Sequence, residues 1–120
     1  MSKKQILIAD DDPSIRLLLR NFLESEGYDT SEAKSGGDVL RILPDMTPDL
    51  LIMDLRMPEW DGIEVMKKLN EQNMKVPILL MTAHGTSNSA IQAIQLGAFD
   101  YITKPFQAQR VVDGVIRAAS

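Results

Sequence analysis

Three unbroken apolar runs, Ile6-Leu7-Ile8-Ala9, Leu50-Leu51-Ile52-Met53 and Ile78-Leu79-Leu80-Met81, constrain this chain more than any other feature. A run of strand length with no polar face has nothing to offer solvent on either side. It suits a parallel strand covered by helices above and below. Two weaker strands are expected at Tyr28-Asp29-Thr30-Ser31 and Phe99-Asp100-Tyr101-Ile102. The first has few apolar residues and fits a sheet edge, where one face stays wet.

Helical periods fill the gaps. Ile15, Leu18, Leu19, Phe22 and Leu23 recur at i, i+3, i+4, i+7 and i+8, which predicts one buried helix face. Asp12 can cap that helix, Pro13 suits its first turn and Gly27 can end it. Val39, Leu40 and Leu43 mark a shorter helix stopped near Pro44. A third opens at Gly62 and carries Ile63, Met66 and Leu69. Ala90, Ile91, Ala93 and Ile94, ended by Gly97, mark a fourth, and Val111, Val112, Val115, Ile116 and Ala119 mark the last. Five strands alternating with five helices predict a three-layer α/β sandwich around a parallel sheet. The right-handed crossover rule leaves few topologies for it.

With 120 residues, 44% of them hydrophobic, the chain is expected to form one domain over residues 1–120. Roughly two-thirds of the unfolded surface can be buried at this length, so no disulfide or metal staple is required. The sequence has no cysteine, which excludes disulfides, zinc thiolate sites and thiol catalysis. Thirteen Lys and Arg against seventeen Asp and Glu give a net charge of −4, so direct nucleic-acid binding is not expected. The apolar stretch behind Met1-Ser2-Lys3-Lys4 is too short for a signal core or a membrane span. A cytoplasmic location without a membrane partner is the expectation.

The chemistry is expected where the strands end. Asp10, Asp11 and Asp12 follow the first apolar run, Asp54 the second and Thr82 the third, while Lys104 follows the weak strand that ends near Ile102 and Thr103. In a parallel sheet these positions line the carboxyl edge, where open α/β sheets bind ligands. Clustered carboxylates repel one another, and a hard divalent cation relieves that repulsion. Mg²⁺ needs only one or two carboxylates and keeps its other positions for water or phosphate oxygens. An aspartate beside such a cation can act as nucleophile toward a phosphoryl group and form an acyl phosphate. Lys104 adds a point charge, and the Thr82 hydroxyl can donate a hydrogen bond to the transferred group.

The segments Ile-Ala-Asp10-Asp11-Asp12, Met53-Asp54-Leu55-Arg56-Met57-Pro58, Asp61-Gly62, Met81-Thr82-Ala83 and Gly97-Ala98-Phe99-Asp100-Tyr101-Ile102-Thr103-Lys104-Pro105-Phe106 resemble the motifs of response-regulator receiver domains, over essentially the whole chain and in order. The resemblance implies a flavodoxin-like sheet of order 2-1-3-4-5 and a cis Lys104–Pro105 bond. It implies Asp54 as phosphoacceptor and Mg²⁺ held by Asp11, Asp54 and the main-chain carbonyl of Arg56, with Asp10 acting mainly through water. Thr82 and Lys104 would contact the phosphoryl group, and Tyr101 would change rotamer on activation. The surface of the fourth helix, fifth strand and fifth helix would then be switched. The implied donor is a sensor histidine kinase, a phosphotransfer protein or a small phosphodonor. An output domain after Ser120 and a second receiver are further candidate partners. Such a domain is not an enzyme, but it assists its own phosphorylation and dephosphorylation. Segments such as Phe99-Asp100-Tyr101 look like receivers of the nitrogen-regulator type, which precede an ATPase and a DNA-binding domain.

Plainer roles exist for several of these residues. Asp12, followed directly by Pro13, reads as a helix cap rather than a ligand. Tyr101 can be an ordinary strand aromatic, Trp60 partial packing, and His84 an exposed loop residue. Glu59-Trp60 is bulkier than the usual turn after Met-Pro. Arg56 and His84 sit two residues past Asp54 and Thr82, where the resemblance implies that water access to an acyl phosphate is adjusted. Two rival functions differ in what they predict. A phosphatase or phosphotransferase of the haloacid-dehalogenase type would use Asp10-x-Asp12-x-Ser14 with Asp10 as nucleophile, but Pro13 sits inside that motif and the chain is short for that fold. A pseudo-receiver acting only as a binding module would take up no phosphoryl group.

Overall fold

A computed structural model describes residues 3–83 and 88–119 of the chain. Its strands are β1 (Gln5–Ala9), β2 (Asp29–Ala33), β3 (Leu50–Asp54), β4 (Ile78–Thr82) and β5 (Asp100–Thr103). They alternate with helices α1 (Pro13–Ser25), α2 (Gly36–Ile42), α3 (Gly62–Glu71), α4 (Asn88–Gln95) and α5 (Ala108–Ala119). All pairings are parallel and the order is β2-β1-β3-β4-β5, as the resemblance implies.

The continuous apolar runs follow from burial on both faces of the sheet. Successive side chains in a strand point to opposite sides. Leu7, Ala9, Leu51, Met53 and Leu80 therefore meet Val39 of α2, Val65, Met66 and Leu69 of α3 and Ala93 of α4. Ile6, Ile8, Leu50, Ile52, Leu79 and Met81 meet Leu19 and Leu23 of α1 and Val111 and Val115 of α5. Every residue of β3 and β4 is buried, whereas β2 at the edge buries only Ala33.

Short-range signals set the element ends. The Asp12 carboxylate accepts from the Ser14 amide at 2.8 Å, with Pro13 in the first turn of α1. Asp61 and Glu64 form a capping box at the start of α3, with bonds of 2.8 and 3.0 Å. Gly27 (φ 93°) and Gly97 (φ 111°) reverse the chain after α1 and α4 with the left-handed backbone that glycine accepts freely. Helix α2 stops where expected, passing into a 3₁₀ turn at Leu43–Asp45 that contains Pro44.

Some expectations need correction. Leu18 is 42% exposed, because α1 packs against β1, β2 and α5 through a narrow stripe of Leu19 and Leu23, with Ile15 half-buried. Among the described residues of α4 the buried ones are Ala90 and Ala93, while Ile91 and Ile94 are exposed. Small side chains thus face the core here, and the larger ones face away from it. Tyr28 and Phe99 precede their strands rather than opening them, and Asp54 and Thr82 are the last residues of β3 and β4. The Lys104–Pro105 bond is cis, and His84 lies outside the described residues.

The loop between β3 and α3 is pressed against the first turn of α2. A Cβ on Gly36 would run into the main-chain carbonyl of Trp60, and one on Gly37 into the Glu59 carboxylate. Backbone on backbone has little room to relax. Gly36→Ala should destabilise the domain by ~1–3 kcal/mol, read as a lower urea midpoint with an unchanged slope.

Candidate phosphoacceptor site

Parallel register brings the strand ends to one rim. Ala9 pairs with Met53, Asp54 with Met81, and Thr82 with Thr103. Asp10 follows β1 directly, Asp54 and Thr82 end β3 and β4, and Lys104 follows β5. Asp10 is fully buried, Asp54 is 8% exposed and Thr82 3% exposed, while Asp11 is open to solvent.

Lys104 reaches across the sheet. Its Nζ donates to Asp54 Oδ2 at 2.8 Å and to Asp10 Oδ2 at 2.9 Å. Its main-chain N–H donates to the Thr82 carbonyl at 2.7 Å, which fixes where the side chain starts. The other oxygen of Asp54 accepts from the Arg56 amide at 3.2 Å, and the other oxygen of Asp10 from the Asp12 amide at 2.9 Å. No buried side-chain polar atom among the described residues lacks a partner.

Burial pushes the Asp54 carboxyl above its ordinary pKa, even though the bonds from Lys104 and from the Arg56 amide favour its charged form. For Lys104, burial works against the charge, but its bonds to Asp54 and Asp10 outweigh that and hold the ammonium above its usual range. Asp54 is thus a desolvated carboxylate kept in place by a lysine.

Asp10, Asp11 and Asp54 each offer an oxygen, all within 4.8 Å of one another. The donors are hard oxygens without nitrogen or sulfur, which suits Mg²⁺ and excludes a preference for soft metals. One ammonium faces three carboxylates, leaving a formal charge that a divalent cation would balance. The acidic cluster therefore fits a metal ion.

Tyr101 is half-buried on β5 opposite Leu80. Two residues apart on β4, Leu80 and Thr82 share a face, so Tyr101 lies diagonally behind Thr82 on the side of α3 and α4. Arg56 has an exposed side chain and meets Asp54 through its main chain. Trp60 is half-buried, with Lys68 Nζ 5.3 Å from its ring centroid. An apolar cleft of 390 Å³, lined by Met66, Leu69, Met74 and Ile78 among others, lies at the opposite edge of the sheet.

Arg16 was missed by reading motifs alone. Its guanidinium donates to the Asp10 carbonyl at 2.7 Å and to Glu32 Oε1 at 3.0 Å, tying the β1–α1 turn to the end of β2. A signal existed. A cation in the first turn of a helix opposes the macrodipole, so Arg16, close behind Pro13, calls for a specific partner.

Against known proteins, residues 6–116 match the family model of the response regulator receiver domain. The chain is 42% identical over 113 residues to the DNA-binding transcriptional regulator NtrC of Klebsiella pneumoniae, covering 94% of this chain and 24% of that protein. It is 37% identical over 112 residues to the chemotaxis protein CheY of Bacillus subtilis, covering 92% of this chain and 93% of that one. The chain thus spans about a quarter of the length of NtrC and nearly all of CheY. The solved receiver domain of the Francisella response regulator 1452 superimposes with a TM-score of 0.92 at 30% identity, over 98% of this chain and 97% of the other. These matches run the length of the sheet and take in the strand ends just described. The chain belongs to the response regulator receiver domain family of two-component signalling.

Proposed function

We propose that Asp54 is the residue that accepts the phosphoryl group, with Mg²⁺ held by Asp10, Asp11, Asp54 and the main-chain carbonyl of Arg56. The observation that carries this reading is the convergence of three carboxylates and the Lys104 ammonium at one rim of the sheet. Asp10 enters the metal shell mainly through water. Bound there, Mg²⁺ would offset carboxylate charge and supply Lewis-acid stabilisation of the transferring group.

The protein's own groups do the rest. An Asp54 oxygen attacks phosphorus in line, the bond to the donor nitrogen or oxygen breaks, and the donor leaves with that electron pair. The product is an acyl phosphate. Lys104, already bonded to Asp54, shifts its contact to the incoming phosphoryl oxygens and stabilises their charge. Thr82 ends the neighbouring strand, from which its hydroxyl can donate to another of those oxygens. The same groups steady a second displacement, in which water attacks phosphorus, the bond to the Asp54 oxygen breaks and inorganic phosphate leaves, so the domain assists both its phosphorylation and its dephosphorylation.

Signalling follows from differential contacts in two states. The Thr82 hydroxyl moves toward the phosphoryl group, and Tyr101 turns into the space behind it. The surface built by α4, β5 and α5 then changes. That surface exposes Ile91, Ile94, Phe99 and Ile116, apolar groups suited to a partner. A sensor histidine kinase or phosphotransfer protein is the proposed donor. An output domain after Ser120 or a second receiver is the proposed target, and the cytoplasm the proposed location. The single domain is proposed to span residues 1–120. No helix of the described residues is long and apolar enough to cross a membrane.

Acetyl phosphate with Mg²⁺ should add one phosphoryl group to the intact protein by mass spectrometry. Asp54→Asn should add none, and labelling of that variant to the wild-type extent would sink the assignment. Mg²⁺ at ten times its dissociation constant should stabilise the fold by about 1.4 kcal/mol, seen as a rise in melting temperature that Asp11→Ala abolishes. The apo protein carries a further, opposite prediction. The folded pKa of Asp54 is raised, so its contribution to stability is complete below the unfolded value and is lost as pH rises through the folded one. At neutral pH its charge is a burden, and Asn removes it while Lys104 keeps Asp10. Asp54→Asn should therefore raise the metal-free melting temperature, and that gain should shrink as pH falls below neutral.

A further inference from the structure

Glu59 is a residue with a side chain in left-handed backbone, at φ 69°. Glycine adopts that conformation freely, and a glutamate persists in it only where its surroundings hold it. Here the holding groups are explicit. Glu59 Oε1 accepts from the Ser35 hydroxyl at 2.6 Å, and the Arg41 guanidinium lies 3.5 Å from the same oxygen. The Ser35 oxygen in turn accepts from the Asp38 amide at 3.1 Å as the cap of α2, so its proton is directed at Glu59. Ser35 is only 6% exposed. These contacts hold the Glu59 carboxyl below its ordinary pKa, the Ser35 hydroxyl foremost and Arg41 after it.

The backbone closes the same junction. The Gly36 amide donates to the Pro58 carbonyl at 3.3 Å, and the Trp60 amide to the same carbonyl at 2.9 Å. Gly36 and Gly37 permit this approach because any Cβ would meet Trp60 or Glu59. At its base the loop is closed by the Gly62 amide on the Leu55 carbonyl at 2.8 Å. Arg56 lies between that base and the Glu59 tip, and its amide is bonded to Asp54. The Leu55–Arg56 peptide is thus held at both its carbonyl and its amide, and the Arg56 carbonyl sits one peptide further on, between this fixed base and the fixed Glu59 tip.

We infer that Glu59, latched to Ser35 and Arg41 on α2, is a positioning residue that presets the Arg56 carbonyl for the divalent cation. The inference rests on the proposed reading in which that carbonyl is a metal ligand. Supporting groups behind a ligand set its orientation, and their loss commonly weakens metal binding by about tenfold or more. The ordering is present before the cation arrives, so the loop entropy is not charged to binding. The latch also joins the acceptor loop to the first turn of α2, an element outside the proposed α4, β5 and α5 surface.

Two variants of the full chain separate these roles. Glu59→Gly removes the carboxylate while relieving the left-handed backbone, so the fold survives. Glu59→Gln keeps an oxygen for the Ser35 hydroxyl and drops the ion pair. Amide exchange in the metal-free protein should speed up at Gly36 and Trp60 in Glu59→Gly, and Mg²⁺ affinity by calorimetry should fall about tenfold. Glu59→Gln should stay within about twofold of wild type, since the neutral acceptor preserves the main bond. Unchanged exchange in Glu59→Gly overturns the latch. Faster exchange with undiminished Mg²⁺ affinity overturns the positioning role while leaving the metal reading intact. A wild-type protein that binds no Mg²⁺ overturns both.

Discussion

The ion pairs from Lys104 to Asp54 and Asp10 are the interaction around which the rest of the molecule is arranged. A single ammonium cannot neutralise three carboxylates, two of them buried, and no apolar repacking could remove the problem without removing the acids. Leaving a buried charge without a partner is costly, so both buried acids are bonded at every oxygen. What remains is a negative excess that a divalent cation can balance, leaving room for an anionic phosphoryl group. The domain holds this imbalance on a rigid sheet.

Rigidity comes from how the strands end. Asp54 and Thr82 are the terminal residues of the two most buried strands, and their neighbours are fixed by ladder bonds on both sides. Arg16 and Glu59 do the corresponding work on the loops that no ladder reaches. One ties the Asp10 turn to β2, and the other ties the Arg56 loop to α2. Four different elements thus brace an open rim of carboxylates that would otherwise spread apart.

Much of this was legible in the residues. Apolar runs with no polar face fixed the parallel, doubly covered sheet, and the residues just past each run named the acids, the threonine and the lysine. Asp12, Pro13, Gly27 and Gly97 marked helix ends by local chemistry that needs no tertiary knowledge. Periodicity failed where several apolar residues compete for one stripe. Leu18 and Ile91 fit the helical period as well as Leu19 and Ala90, and only the distance of each helix from the sheet decides between them. Arg16 announced itself as a cation in the first turn of a helix, but its Glu32 partner and the Ser35–Glu59 bond were illegible for another reason. Those partners lie 16 and 24 residues off, and charged or hydroxyl groups on turns carry no pattern that names a distant contact.

The central claim is that Asp10, Asp11 and Asp54 share one cation at the rim of the sheet. Mn²⁺, a spectroscopic and anomalous-scattering substitute for Mg²⁺, tests it most directly in a crystal of this chain. The account predicts a single anomalous peak bonded to Asp11 and Asp54 oxygens and to the Arg56 carbonyl, with Asp10 linked through water. A peak elsewhere on the surface, or none at saturating Mn²⁺, would contradict it.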